Sequence, residues 1–430
     1  MLQRLLFFCS LALVCACAIY AVHPLGSELS YPLQVLKMKL LEDSTFCMDK
    51  GWAAFQSGKA VYETVFFQRH YKFQYPISSL LLYSMAALLH VSGAHLNKAI
   101  LLLSVPATLL VAGEIFLFAV PSNWNLSRTQ RLLVRAAIAL LGILFYPFIY
   151  GAYLGQVQTF LTLLWGLAFY LWLRDKKELS GVCIAITCIF KPQLALFLIW
   201  ALLRKQWRFL LPLLCGIVIT QALSIALFGW HNVVEYRAVV RYLTHHGEVF
   251  YTNQSVNGLL QRIMKTGDPL YFQNLSFPPY NAVVYIGTLC STALLLSFGF
   301  FVPMLRRWRD SGIDFLLFGL LATVASPIAW EHHYGYFFIA SVYLLALLCT
   351  GKDTRLFFLF SACFVVLANS FPVQERLVNT PWTFLLSYDL YSGLAIIAIL
   401  SVFGERSSRN FVAGSSTSVS SRQVPSLTKT

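Results

Sequence analysis

Residues 179–203 read LSGVCIAITCIFKPQLALFLIWALL, an apolar run interrupted by Lys191-Pro192. As one helix it would be long enough to cross a hydrocarbon core of about 30 Å. The basic clusters that flank it would then stand on opposite faces of the membrane: Arg174, Lys176 and Lys177 before it, Arg204, Lys205 and Arg208 after it. Basic loops gather on the cytoplasmic face. The sequence therefore predicts a hairpin of two short helices turning at Lys191-Pro192. Proline is tolerated in a first helical turn, where its missing N–H costs no hydrogen bond. Such a hairpin carries its lysine on the tip, in the outer half of the membrane.

The same charge rule orders the rest of the chain. Arg128, Arg131 and Arg135 mark a cytoplasmic turn, as do Arg306, Arg307 and Arg309, then Lys352 and Arg355, then Arg406 and Arg409. Paired spans fit between them: 132–152 with 157–173, 209–228 with 281–304, 313–328 with 334–350, and 356–371 with 383–403. The extracytoplasmic loops are then 153–156, the long 229–280, SPIAWEHH (326–333) and 373–382. Two apolar runs, 76–93 and 98–120, precede Arg128, where parity allows one crossing. The longer is read as the span; the shorter, studded with Ser and His, as a helix packed at the outer surface. The N-terminal run to Val22 is read as a retained first helix rather than a cleaved signal. The expectation is an all-α polytopic membrane protein of about twelve spans in a single domain, 1–404, with both termini cytoplasmic and a Ser-rich disordered tail at 405–430.

Composition agrees. Hydrophobic residues make up 58% of the 430 and charged ones 12%, against roughly a quarter charged in soluble domains. The formal charge of +14 does not indicate nucleic acid, because the Lys and Arg sit in short clusters between apolar runs. Of ten cysteines, Cys47 falls in a clear polar loop and the others lie in or beside apolar segments. They read as small packing residues rather than a disulfide framework.

Polar groups at membrane depth are costly, and most unusual ones here fall on the outer side. The first outer loop, CMDKGWAAFQSGKAVYETVFFQRHYKFQYP (47–76), holds Asp49 with Trp52 and Phe55 at helical spacing. Asp49 could take a proton from an incoming hydroxyl, or be a solvated loop acid or helix cap; Glu42, Asp43 and Glu63 are equally available. Gln156 and Gln158 could bind sugar hydroxyls or hydrogen-bond between helices. Lys191 could offer its cation to an anionic head group, or pair with Glu114 or Asp389. Asn253-Gln254-Ser255 matches the glycosylation sequon and reads equally as the cap of an amphipathic helix, whose Arg262 faces a phosphate or the surface. His245 and His246 read as ordinary loop residues. In SPIAWEHH, Ser326-Pro327 breaks the preceding span and Trp330 suits the interface. Adjacent His332 and His333 cannot share one helical face, so a two-histidine metal site is not expected. One of them can enter a cavity, donating to a phosphate or carrying a proton, with Glu331 orienting it; interfacial decoration is the alternative.

These stretches resemble glycosyltransferase family 87, membrane enzymes of the GT-C superfamily that take a sugar from a polyprenyl phosphate. The motifs run in the family's order over roughly residues 45–350. They are Asp49…Trp52…Gly58…Tyr62…Tyr75-Pro76, then Gly155-Gln156-Val157-Gln158, then Lys191-Pro192. Asn253-Gln254-Ser255…Gly258-Leu259-Leu260…Arg262 follows, and last Ser326 to His333. Gln158 stands where the family more often has Asn, and Glu331 where Asp is common.

The resemblance implies a GT-C fold with juxtamembrane helices in the first outer loop, in a bacterial plasma membrane. It also implies an inverting transfer of one sugar, typically mannose, from a β-linked polyprenyl phosphate to a glycolipid or glycan hydroxyl at the extracytoplasmic face. In that reading Asp49 is the general base, and His332 is the catalytic histidine that offers positive charge to the departing phosphate. Lys191, Arg262 and His333 neutralise the departing lipid phosphate. Gln156, Asn253, Gln254, Tyr75, Trp330 and Glu331 bind substrate. Side chains already neutralise the phosphate, so no metal or other cofactor is expected; the partners are the donor, the acceptor and membrane lipid. Two rivals share the polar inventory: a transporter or flippase for lipid-linked sugars, and a ligase-like transferase that moves a whole glycan from undecaprenyl diphosphate. The clustering at one face, away from the bilayer centre, weighs against the transporter.

Overall fold

The computed structural model describes residues 1–24, 29–273, 276–306 and 308–419, and all regular structure among them is helical. That is the solution open to an apolar chain whose backbone must satisfy its own hydrogen bonds in lipid. Helix α1 (Leu2–Val22) is followed by α2 (Ser30–Leu36), α3 (Asp43–Gln56) and a π-helical turn at Glu63–Gln68. Next come α4 (Leu81–Leu88), α5 (Gly93–Ala119), α6 (Arg128–Ile143), α7 (Tyr146–Tyr153) and α8 (Gln158–Leu173). The middle of the chain forms α9 (Lys177–Cys188), α10 (Phe197–Leu203), α11 (Trp207–His246) and α12 (Val256–Ile263). The last part forms α13 (Ala282–Leu305), α14 (Gly312–Val324), α15 (Gly335–Thr350), α16 (Thr354–Leu367), α17 (Gln374–Leu377) and α18 (Tyr388–Val419).

Six of these helical segments are long and apolar enough to cross a membrane, and a seventh if α6 and α7, bent by 65°, count as one. The remaining expected crossings are helices of 7 to 16 residues. At 1.5 Å per residue even the longest of them spans only about 24 Å. They are short because Gly, Pro and the polar motifs break them at one end, in segments buried among other helices. Helix α11 is a second departure. The chain does not enter a loop at 229; it kinks at Gly229 (φ 82°, ψ 152°) and resumes as helix to His246. Glycine allows that left-handed backbone without a Cβ clash. His245 and His246 thus close a helix, with His246 stacked on Tyr242 at 4.2 Å. Segment 76–93 forms a buried 3-10 turn at 77–80 and the eight-residue α4, which buries Leu82, Tyr83 and Ala86 and leaves Leu88 exposed. The apolar window of the last helix stops at Glu405; helix continues to Val419, and 420–430 lie outside the described residues.

The hairpin at 177–203 is present. Arg208, at the start of α11, bonds Glu178 (2.7 Å) and Asp175 (2.9 Å), at the start of α9. Both flanks of the segment therefore lie at one end of the molecule, and the chain turns back at Ile189–Lys191. Helices α8 and α15 run parallel, as Trp165 against Tyr336 and Phe169 against Tyr343 show. Residues 156 and 331 therefore share one end of the bundle, and Arg174 and Thr350 the other. Arg4 caps that second end by donating to the carbonyls of Leu348 (2.8 Å) and Gly351 (2.7 Å). The basic clusters at 174–177, 204–208 and 306 collect there, as the charge rule requires.

Deep at this basic end, Arg204 grips Asp314 with Nε (2.6 Å) and Nη2 (2.8 Å), both side chains fully buried. Trp200 Nε1 donates to the same carboxylate at 3.2 Å, and the Gly299 carbonyl takes a further Arg204 donor at 3.0 Å. The pair ties α10, α13 and α14 together. Removing one partner of such a pair strands the other charge, at about 3–5 kcal/mol. Asp314→Asn should therefore lower the unfolding temperature in detergent sharply. Arg208→Gln, which breaks only exposed pairs screened by solvent, should move it far less. Equal shifts in a thermal scan would refute this account of the basic end.

Candidate active site

At the opposite end, the turn between α7 and α8 organises the polar groups. Gly155 adopts φ +70°, and a Cβ there would collide with the carbonyl oxygen of Leu41. The bare backbone lets the segment before α3 zip onto the end of α7: Leu41 N–H donates to Tyr153 O (2.8 Å) and Asp43 N–H to Leu154 O (3.1 Å). The next residue, Gln156, is buried and fully engaged. Its Nε2 donates to Asp43 Oδ2 at 2.5 Å. Its Oε1 accepts from Ser44 Oγ (2.8 Å) and Tyr75 OH (3.2 Å), and Ser44 Oγ also accepts Val157 N–H at 3.0 Å.

Asp43 thus emerges as the carboxylate of this end. Its side chain reaches solvent while protein packs closely around it. That crowding raises its pKa above the ordinary carboxylate value, and the Gln156 hydrogen bond partly opposes the rise. Asp49 lies six positions on. Helical geometry turns it about 120° around α3 from Asp43, against the Tyr83 hydroxyl on α4. Among the described contacts, none joins Asp49 to Lys191, Arg262 or the histidines.

The second group is cationic. Ser78 Oγ donates to the Ile189 carbonyl (2.7 Å) and pins the tip of the 177–203 hairpin. There Lys191 Nζ lies 2.5 Å from His333 Nε2. At that distance one nitrogen donates to the other, and the direction follows from which of them carries the proton. His332 is edge-on to His333, ring centroids 4.8 Å apart, and packs against Gly151 of α7. Neither expected acid pairs with Lys191: Glu114 is taken by Arg135 (2.7 Å) and Asp389 lies on α18. Among the described residues Lys191 makes no ion pair. Both histidines are buried.

Between the two groups stands a cluster of tyrosines. Tyr150 lies in electrostatic range of both Asp43 and Glu331. Tyr31 of α2 packs on Tyr146 (5.9 Å), Tyr150 (5.1 Å) and Tyr153 (4.9 Å). Glu331 accepts from Tyr146 OH at 3.3 Å, while its Oε1 is buried with no partner among the described residues. Sequence reasoning named Asp43 as an equally available acid beside Asp49, and passed over Ser44, Tyr146 and Tyr150. The adjacency of an acid and a serine at the first turn of α3 was the available signal, shared with other acids of the loop.

Asn253, Gln254 and Arg262, expected as ligands, make hydrogen bonds within the protein. Asn253 Oδ1 accepts Ala329 N–H (3.0 Å) and its Nδ2 donates to Glu248 O (2.8 Å), with the side chain fully buried. That burial closes the sequon to glycosylation in the folded protein. Gln254 Nε2 donates to Tyr251 O and Leu386 O, both at 2.8 Å. Arg262 spends its guanidinium on Asn253 O (3.0 Å), Phe250 O (3.3 Å) and Ser387 Oγ (2.6 Å). Burial lowers its pKa to about 10, so it remains a cation near neutrality. The buried face of α12 thus meets loop carbonyls, while Arg262 Nε and Gln254 Oε1 have no partner among the described residues. Residues 253–255 thereby staple the long loop to 327–331, where Trp330 packs edge-on to Phe272 at 5.8 Å. Gln158 is buried at the start of α8 near Tyr336, and neither atom of its amide has a hydrogen-bond partner among the described residues.

The family profile of glycosyltransferase family 87 matches residues 73–327, more than half of the chain. No curated protein matches it. The matched segment contains Gln156, Lys191, Asn253 and Arg262; Asp43 and Asp49 precede it and Glu331 to His333 follow it.

Arg262→Lys keeps the charge and loses the fork. It should leave the Phe250 and Asn253 carbonyls unpaired, at roughly 1–3 kcal/mol each, and lower the thermal stability of the purified protein. Unchanged stability would show that the guanidinium is free for a ligand.

Proposed function

The chain belongs to glycosyltransferase family 87, and we propose that it moves one sugar, mannose, from a polyprenyl phosphate to a hydroxyl of a glycolipid or glycan at the extracytoplasmic face. In this reading Asp43 takes the part expected of Asp49. The acceptor hydroxyl gives its proton to the Asp43 carboxylate while its oxygen forms the new bond to the anomeric carbon. The bond from that carbon to the phosphate oxygen breaks, and the polyprenyl phosphate departs with the electron pair. One displacement inverts the configuration, so a β-linked donor gives an α-linked product. The phosphate leaves already anionic, so it needs positive charge rather than a strong acid. Lys191 supplies that charge, and His333 and His332 supply ring donors beside it.

The observation that supports this reading is that the end of α7 and its short connection to α8 touch both groups. Gly151 packs on His332 of the cationic group, and Gln156 holds the Asp43 carboxylate. The intervening tyrosines present hydroxyls and aromatic faces, which suit a sugar ring. The basic clusters lie at the far end of the bundle, which supports placing the site on the outer face. Twelve crossings, with the short helices completing them, agree with the same orientation.

Two measurements test the roles. With membranes and labelled polyprenyl-phosphate mannose, Asp43→Asn should lose roughly 10²–10⁴-fold in transfer, while Asp49→Asn stays near the unmodified rate. The reverse order would restore Asp49 as the base. The second is the pH profile. A protonated Asp43 cannot accept the proton, so activity falls as pH drops through its pKa. That acid limb should stand above the usual aspartate value of about 3.9, because burial raises it. Gln156→Leu removes the hydrogen bond that lowers it and should move the limb in kcat/KM to still higher pH. A limb that moves down, or stays fixed, would remove Asp43 from the chemistry.

A further inference from the structure

A second polar cavity lies at the basic end, away from the groups described above. The sixteen residues of α8 separate the two ends by about 24 Å. Its volume is about 300 Å³, at the lower edge of small-ligand cavities. The end of α5, the start of α6 and the end of α8 form its walls. Arg131 and Arg174 both line it, with Asn125. The Arg174 guanidinium stands 6.0 Å from the Phe118 ring and 5.9 Å from the Tyr170 ring. Arg131 uses Nε on the Leu126 carbonyl (3.2 Å), which leaves its terminal nitrogens unspent in any described hydrogen bond. Among the described residues neither arginine has an acidic partner within ion-pair distance.

One acid, Glu114, also lines the cavity, but Arg135 holds it at 2.7 Å. The balance across these four groups is two positive charges. The surroundings are lipid-facing: Leu132 and Leu133, next to Arg131 in the chain, are 65% and 52% exposed, and Leu110 and Phe118 also lie open on α5. Two uncompensated guanidinium groups suit a phosphate, which each can bind through paired N–H donors. The apolar rim suits acyl chains.

We propose that this cavity binds the phosphate of an anionic phospholipid in the leaflet opposite the catalytic groups. The proposal owes nothing to the sugar-transfer reading. Arg131 and Arg174 clasp the phosphate, Tyr170 and Asn125 offer further hydrogen bonds, and the acyl chains lie over Leu132 and Leu133. Free inorganic phosphate shares the recognition chemistry but cannot use the rim.

Native mass spectrometry of the full chain in neutral detergent tests this, with phosphatidylglycerol and diacylglycerol as probes. Phosphatidylglycerol should bind saturably and diacylglycerol should not. Arg131→Ala with Arg174→Ala should weaken phosphatidylglycerol binding about tenfold or more. Arg128→Ala, one turn outside the cavity, should leave it unchanged. Both arginines are exposed, so the double variant should unfold at the same temperature in lipid-free detergent; Arg174→Gln alone repeats the test if it does not. Binding that survives millimolar inorganic phosphate supports the lipid as occupant. Displacement by that phosphate would overturn the lipid and leave a free-phosphate site. Equal binding by the double variant, or equal loss from Arg128→Ala, would overturn the cavity as a phosphate site altogether.

Discussion

The close approach of the Leu41 carbonyl to Gly155 is the constraint on which the outer end depends. Any side chain at 155 would force that backbone away and strip Asp43 of its anchor on Leu154. Without that contact the first outer loop has no fixed register on α7. With it, a carboxylate, a carboxamide, a serine and a tyrosine close into one knot. The rest of the polar end is built outward from there. Gly151, one turn back along α7, receives His332, and His333 then meets the lysine of the hairpin.

Much of the architecture was legible because charge, rather than hydropathy, decides it. A window of hydropathy alone would make residues 179–203 one span. The two basic flanks made it a hairpin, and the Arg208 ion pairs show that the flanks do meet. Spans were harder to count, because length and break position are set by packing. Helix α11 was cut at 229 in the sequence reading, since Gly229 and the polar residues after it look like a loop. The glycine is a kink, and the polar residues that follow lie on a continuing helix.

The site was legible as a neighbourhood and not as a set of roles. Gln156, Lys191, His332 and His333 were singled out as polar groups in apolar surroundings, and all four lie at the same end. Residue type could not separate Asp43 from Asp49, because both sit on α3 and only the rotation of that helix decides which faces Gln156. Nor could it separate ligands from staples. Asn253, Gln254 and Arg262 look like binding residues, yet most of their donors go to carbonyls and a hydroxyl of neighbouring segments. Long outer loops buried against a bundle have many such carbonyls, and polar side chains are what satisfies them.

The lysine at the hairpin tip has a thermodynamic corollary. A lysine held beside an imidazole, with no acid in ion-pair distance among the described residues, leaves that place short of negative charge. Whatever anion settles there is bound by the native state and by no unfolded one, so by mass action it lends its binding free energy to the fold. Resistance of the purified chain to heat then becomes a gauge of occupancy, readable without any knowledge of which sugar is carried or where it goes.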